Sequence, residues 1–173
     1  MHKYLLLFLF LSTGFISACT GLPKGIEPIE DFDLQQYYGK WYEIARLDHR
    51  FERNLQQVSA EYSEGEKGFV VVKNRGYNSS KNEWSEITGK ARFKSDPQRG
   101  HLLVSFFGPF YASYVIFELD NYQHAYVVGS NRKALWFLSR TPEVTESAKQ
   151  AFLKKVQASG FNTEELIWVE QSG

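Results

Sequence analysis

From Trp41 to Arg140 the chain repeats one pattern: apolar and polar residues alternate over a short run, a turn intervenes, and the alternation resumes. A period of two puts successive side chains on opposite faces of a strand. The first run opens after Gly39, with Trp41, Glu43, Ala45 and Leu47 on one face. Val58, Ala60 and Tyr62 then oppose Ser59, Glu61 and Ser63; Phe69 to Tyr77 makes a third run; Ile87, Gly89, Ala91 and Phe93 oppose Thr88, Lys90 and Arg92. Gly100 to Phe107, Tyr111 to Asp120, His124 to Asn131 and Ala134 to Arg140 follow, separated by Gly-Pro, Asn-Tyr and Asn-Arg turns. Eight consecutive strands with short connections predict an antiparallel up-and-down meander. Closing it into a barrel removes both exposed edges and leaves room for one small ligand.

After Arg140 the period changes. Thr141-Pro142-Glu143 reads as a helix cap, a proline at the first helical position and an acid in the first turn. Val144, Ala148, Ala151, Phe152 and Val156 recur at three and four, Lys154 and Lys155 lie near the C-terminal end, and Gly160 is the stop. One amphipathic helix is thus expected on the outer wall of the barrel, against Ala125, Val127, Gly129 and Phe137. Leu166 to Val169 makes a short last strand, and Asp33 to Tyr38 a polar single turn before the first. The predicted fold class is all-β: an eight-stranded antiparallel barrel, one C-terminal α-helix packed outside, and a short last strand. Between the first two strands, residues 48 to 54 form a charged loop around Phe51, longer than a hairpin requires, as loops beside functional sites often are.

The N-terminus changes this picture. Lys3, an apolar run from Tyr4 to Leu11 and then Ile16-Ser17-Ala18-Cys19 have the layout of an export signal, too short to span a bilayer. An apolar residue, two small residues and a cysteine look like a bacterial lipoprotein processing site, with Cys19 acylated as the mature N-terminus. Each acyl methylene buried adds about 0.8 kcal/mol, so several chains on one residue anchor firmly. Thr20 stands where an aspartate would signal retention in the inner membrane, so outer-membrane sorting facing the periplasm is expected. The expected division is a signal peptide at 1–18, a lipid-anchored tether at 19–32 and one domain at 33–173, long enough for a single core. Lysine plus arginine and aspartate plus glutamate both number 20, which steers the chain toward no nucleic acid. Cys19 is the only cysteine, so no disulfide staples the fold.

Candidate chemistry is sparse. His2, His49, His101 and His124 are scattered singly, with no ligand spacing for a metal. No nucleophile elbow, phosphate-cradling glycine loop or zinc-protease motif is present. No cofactor is expected. Glu43 is the one polar residue that alternation places inside near Trp41, as a structural carboxylate or as an acid–base group raised by burial. Aromatic residues make up 16% of the chain, and they supply the candidate pocket. Parity puts Tyr111, Val115, Phe117 and Leu119 on one face, Tyr126 and Val128 on another, and Trp136 and Leu138 above Arg140 on a third. Pointing inward, these faces line an apolar cup with a few polar tips, the usual makeup of a pocket of roughly 300–1,000 Å³. Tyr111 and Trp136 fall near the mouth, as donors for a charged head group.

The two ends of the barrel sequence belong together. Arg140 ends a strand with no carboxylate nearby, and a guanidinium there is suited to lie over the Trp41 indole, a contact worth roughly 0.5–2 kcal/mol. Gly39-Lys40-Trp41-Tyr42, Leu119-Asp120-Asn121-Tyr122 and a strand ending in Arg140 resemble, in order and separation, the three signature regions of the lipocalins. Gly39, Trp41, Asp120, Tyr122 and Arg140 are the residues that carry the resemblance; the second region reads Asp-Asn-Tyr rather than Thr-Asp-Tyr. Ser105-Phe-Phe-Gly-Pro-Phe-Tyr and Leu135-Trp-Phe-Leu-Ser-Arg-Thr-Pro look like the bacterial outer-membrane branch of that family.

The resemblance implies a non-catalytic carrier for fatty acids, lysophospholipids or similar single-chain lipids, as a monomer or homodimer. Two other readings stand beside it. One is a lipocalin-like enzyme acting on a lipid through Glu43 or a pocket tyrosine; the other is a structural envelope lipoprotein with a filled barrel.

Overall fold

A computed structural model describes residues 20–171; Cys19 and the expected signal peptide lie outside the described residues. After the turn α1 (Leu34–Tyr37), strands β1 (Gly39–Leu47), β2 (Leu55–Glu64), β3 (Val70–Asn78), β4 (Glu83–Phe93), β5 (His101–Ser105), β6 (Ala112–Asp120), β7 (His124–Val128) and β8 (Leu135–Ser139) pair antiparallel with their neighbours. β1 pairs with both β2 and β8, which closes the barrel. Helix α2 (Glu146–Ala158) and strand β9 (Leu166–Trp168) follow, and β9 takes the edge of β1 over Ala45 to Leu47, beyond the stretch that β2 pairs.

The core has two layers. Inside the barrel lie Trp41, Tyr62, Val70, Val72, Ala91, Leu102, Ile116, Ala125, Val127 and Leu138, joined at one end by Tyr37 from α1. Between barrel wall and helix lie Ala45, Val115, Phe117, Tyr126, Val128, Phe137, Phe152 and Val156. Phe152 of α2 stacks on Phe137 at 4.6 Å and meets Tyr126 edge-on at 5.0 Å.

This corrects the expected faces of β6 and β7. Val115, Phe117, Tyr126 and Val128, expected inside, lie outside under the helix, whereas Ala125 and Val127, expected under the helix, lie inside. Both faces of these strands are covered, so both are apolar and alternation carries no sign of which points inward. Bulges add a second cause, because one extra residue reverses parity beyond it. In β6 a register shift between Ile116 and Glu118 returns Leu119 to the interior side, although Phe117 is outside. In β1 a shift between Glu43 and Ala45 turns Ala45 and Leu47 outward and carries Arg46 in, paired with Trp136 across β8.

Two other boundaries differ. α2 starts at Glu146, capped by Thr145, whose hydroxyl accepts from the Ala148 amide at 3.2 Å. Thr141 instead donates its hydroxyl to the Glu143 carbonyl in the approach to the helix. Part of the segment read as a tether is built into the wall: Ile26 and Phe32 are buried, and the Ile29 amide donates to the Ile116 carbonyl at 2.9 Å.

Outside the inner core, His101 of β5 is buried with its Nε2 3.0 Å from the Ser113 hydroxyl. Burial, reinforced by Lys94 and Arg99, pulls its pKa down from 6.5 to about 4. The unfolded chain therefore binds a proton there that the folded protein refuses. Stability supplied by neutral His101 is present above about pH 6.5 and is lost as the pH falls toward 4. Thermal melts between pH 7 and 4 should show a falling midpoint, with a shallower slope in His101→Gln; an unchanged slope would assign the acid sensitivity elsewhere.

Candidate functional site

One end of the barrel is shut. Asp33 caps α1 through the Gln35 amide, and the turn delivers Tyr37 beneath the first strand. Trp41 is fully buried, its Nε1 donating to the Tyr37 carbonyl at 2.8 Å. The Arg140 guanidinium lies 3.9 Å over the Trp41 ring and donates to the carbonyls of Tyr122, Lys40 and Gln36. Gly39 has a φ of +95°, and a Cβ there would stand 3.4 Å from Arg140 Nη1. Tyr122, also left-handed, accepts the Asp33 amide on its hydroxyl at 2.7 Å. The Asp120 carboxylate takes no part in this cluster and lies against His124. Above the floor, the hydroxyls of Tyr37 and Tyr62 each lie 2.7 Å from that of Tyr114. Burial raises all three phenols, so all are neutral donors and acceptors in mutual contact.

Toward the opposite end the inner wall is partly exposed. Along β3 and β4 the inner face runs Val72, Asn74 and Gly76 against Gly89, Ile87 and Ser85. Inward-facing Ile87 is nevertheless 36% exposed, so this wall is not covered by core side chains. Phe106 crosses it at Gly89, where any Cβ would come within 2.6 Å of the ring. The Asn74 Oδ1 is buried with no partner among the described residues. Around the mouth stand Phe51, Phe107 and Phe110, 60%, 61% and 69% exposed, with Phe51 and Phe107 6.3 Å apart.

A polar cluster hangs from the β1 and β8 wall between floor and mouth. Arg46 Nη1 donates to Glu43 Oε1 at 2.6 Å, and both side chains are 4% exposed. Arg46 Nη2 donates to the carbonyls of Glu52 and Leu55, pinning the 48–54 loop; the Arg46 Nε has no partner among the described residues. The loop folds Glu52 inward, where its carboxylate accepts from Trp136 Nε1 at 3.0 Å. Burial first, and the facing Glu52 second, push the Glu43 carboxyl up, against the pull of Arg46.

Of the expected pocket residues, Trp136 and Leu138 are inside. The Trp136 indole N–H is already held by Glu52, and Tyr111 lies against the Arg92 guanidinium at 5.2 Å. The structure does not bring Tyr111 and Trp136 together as a donor pair. Arg46 and Glu52 were not singled out from the sequence. The signal for Arg46 was an acid and a base three apart in an apolar strand, Glu43 and Arg46, which can meet on one face only across a bulge.

Residues 32–171 match the family described as the Lipocalin-like domain. The chain is 50% identical over 167 residues to the "Outer membrane lipoprotein Blc" of Vibrio cholerae, covering 95% of this chain and 98% of that protein. It is 47% identical over 152 residues to the protein of the same name from Escherichia coli K12, covering 87% and 86%. Among solved structures, insecticyanin from the tobacco hornworm Manduca sexta superposes with a TM-score of 0.71 at 20% identity, covering 88% of this chain and 87% of that one.

Proposed function

The chain belongs to the lipocalin family, and from that premise we propose that it is a binding protein for fatty acids, lysophospholipids or similar single-chain lipids, held at the outer membrane by an acylated Cys19 and facing the periplasm. The observation that carries the reading is the asymmetry of the barrel. A floor of Trp41, Arg140 and three neutral tyrosines closes one end, while the inner wall at Ile87 stays exposed toward the aromatic mouth. An acyl chain is a fitting occupant for such a cup, because every methylene removed from water contributes about 0.8 kcal/mol. The lining above the floor is apolar, with Val72, Val127 and Leu138 on its walls. The names of the two bacterial relatives support the location, as does the short export signal that precedes Cys19.

A carrier role fits this interior better than an enzymatic one. Glu43, the single acid foreseen inside, is committed to Arg46 at 2.6 Å, and the tyrosine hydroxyls are committed to each other. The test is native mass spectrometry of the delipidated protein with palmitate and with a palmitoyl lysophospholipid, in parallel with tryptophan fluorescence. Stoichiometric uptake at micromolar ligand is expected. Failure of both lipids to bind would leave the filled structural barrel as the better reading.

A further inference from the structure

Three phenylalanines stand in solvent at one end of the molecule. Strands alternate in direction from the Trp41 floor, so the turns that follow β1, β3, β5 and β7 all lie at the end opposite it. Phe51 lies in the first of these turns at 60% exposure, and Phe107 and Phe110 lie in the third at 61% and 69%. The Phe107 carbonyl accepts the Phe110 amide at 3.1 Å, which closes a tight turn carrying both residues. None of the other exposed large apolar residues lies in the turns at the floor end. Exposed rings gathered at one end mark a surface that meets another apolar phase.

Charge at that end indicates which phase. Arg50, Arg132 and Lys133 have no carboxylate partner among the described residues, whereas Arg53 is matched by Asp48 and Lys81 by Glu83. The Arg50 guanidinium lies 4.6 Å over the Phe51 ring, so cation and ring are presented together. Aromatic rings with exposed arginine and lysine suit the interface of a bilayer that contains anionic phospholipid.

The anchor can reach the same end. The described chain begins at Thr20, next to Cys19, and it is tied to the turn after β7 at Lys24, whose carbonyl accepts from Arg132 at 2.7 Å. Thr20 itself is held by an exposed bond from Lys94 Nζ to its carbonyl, a weak hold against competing water. Freed from Lys94, the five residues from Thr20 to Lys24 extend over roughly 17 Å, enough to set an acylated Cys19 in a bilayer lying across the mouth.

We infer that the rim of Phe51, Phe107 and Phe110 docks on the anionic phospholipid surface of the bilayer that holds the Cys19 anchor, so that lipid passes between bilayer and cup without crossing water. This inference rests on the anchored-carrier reading and adds its orientation: the mouth faces the membrane, and the floor of Trp41 and Arg140 faces away.

Cys19 is the only cysteine, and acylation uses its thiol, so a single engineered cysteine takes a label uniquely. Phe110→Cys reports on the rim and Ser95→Cys on the turn after β4; both positions are exposed. Each acylated protein, carrying an environment-sensitive fluorophore, is reconstituted into vesicles of phosphatidylethanolamine and phosphatidylglycerol that contain a shallow spin-labelled lipid as quencher. The label at 110 should shift to the blue and lose most of its emission, while the label at 95 keeps the emission of a group in water. Quenching at 95 and not at 110 would mean that the chain stays folded back along Lys94 and would overturn the inference. A blue-shifted label at 110 that the spin-labelled lipid does not quench would overturn it too, because a second copy of the chain would then cover the rim. None of these outcomes needs cargo in the cup, so uptake of palmitate or lysophospholipid judges the carrier reading separately. Failure of the acylated protein to float with the vesicles would overturn anchor and docking together.

Discussion

Arg140→Ala is expected to lower the unfolding free energy by about 3–5 kcal/mol while changing lipid affinity by less than about threefold. The side chain is a hub for three separate segments: it donates to the carbonyls of Gln36 in α1, Lys40 in β1 and Tyr122 in the β6–β7 turn. Hydrogen bonds from a charged donor contribute about 1.5–3 kcal/mol each, though less than additively. The cation–π contact with Trp41 adds roughly 0.5–2 kcal/mol. Truncation also leaves three carbonyls to find water in a closed end. The tyrosine layer stands between this floor and the cup, so the loss should not reach the ligand. Urea unfolding with a parallel lipid titration checks both halves. A large affinity loss in a protein of unchanged midpoint would place Arg140 in the binding site.

The Trp41–Arg140 contact was legible because it depends on strand ends, which turns and glycines mark clearly. The strands themselves were legible for the same reason, and so was the last strand. What alternation could not show was phase. β7 reads Ala125-Tyr126-Val127-Val128, apolar on both faces because a helix covers one and the barrel interior lies on the other. Size misled as well: small residues were assigned to the helix side, whereas the helix brings Phe152 and packs it against large rings, leaving Ala125 and Val127 for the interior around Trp41. Bulges are set by cross-strand register, which a single strand's sequence does not carry. The bulge in β1 hid Arg46, and the path of the 48–54 loop hid Glu52, so of this charged cluster inside the barrel alternation showed Glu43 alone.

That cluster gives the other large effect. Arg46→Ala should cost about 3–5 kcal/mol at pH 7.5, since removing one partner of a buried pair leaves the remaining charge uncompensated. Here two carboxyls are left, Glu43 at 4% side-chain exposure and Glu52 facing it, and the loop loses the two carbonyl bonds that Arg46 Nη2 provides. The pH dependence follows from Glu43. Its pKa in the folded protein is raised above the ordinary 4.5 by burial and by Glu52, and losing Arg46 removes the main opposing pull. A carboxyl raised on folding favours the folded state below its unfolded pKa, and that contribution is lost as the pH rises through the folded value. The deficit of Arg46→Ala relative to wild type should therefore shrink as the pH is lowered from 7.5 toward 5. The comparison is made at each pH because acid also destabilises both proteins through His101, a distant term that cancels in the difference. Adding Glu43→Gln should restore part of the loss at pH 7.5, because a neutral amide needs no counter-charge, while Glu43→Gln alone keeps a hydrogen-bond acceptor for Arg46. Chemical denaturation of the four proteins of this cycle measures the coupling between the two sites. A deficit that stays constant with pH and is not relieved by Glu43→Gln would mean that Arg46 acts only as a strut for the 48–54 loop, through the carbonyls of Glu52 and Leu55.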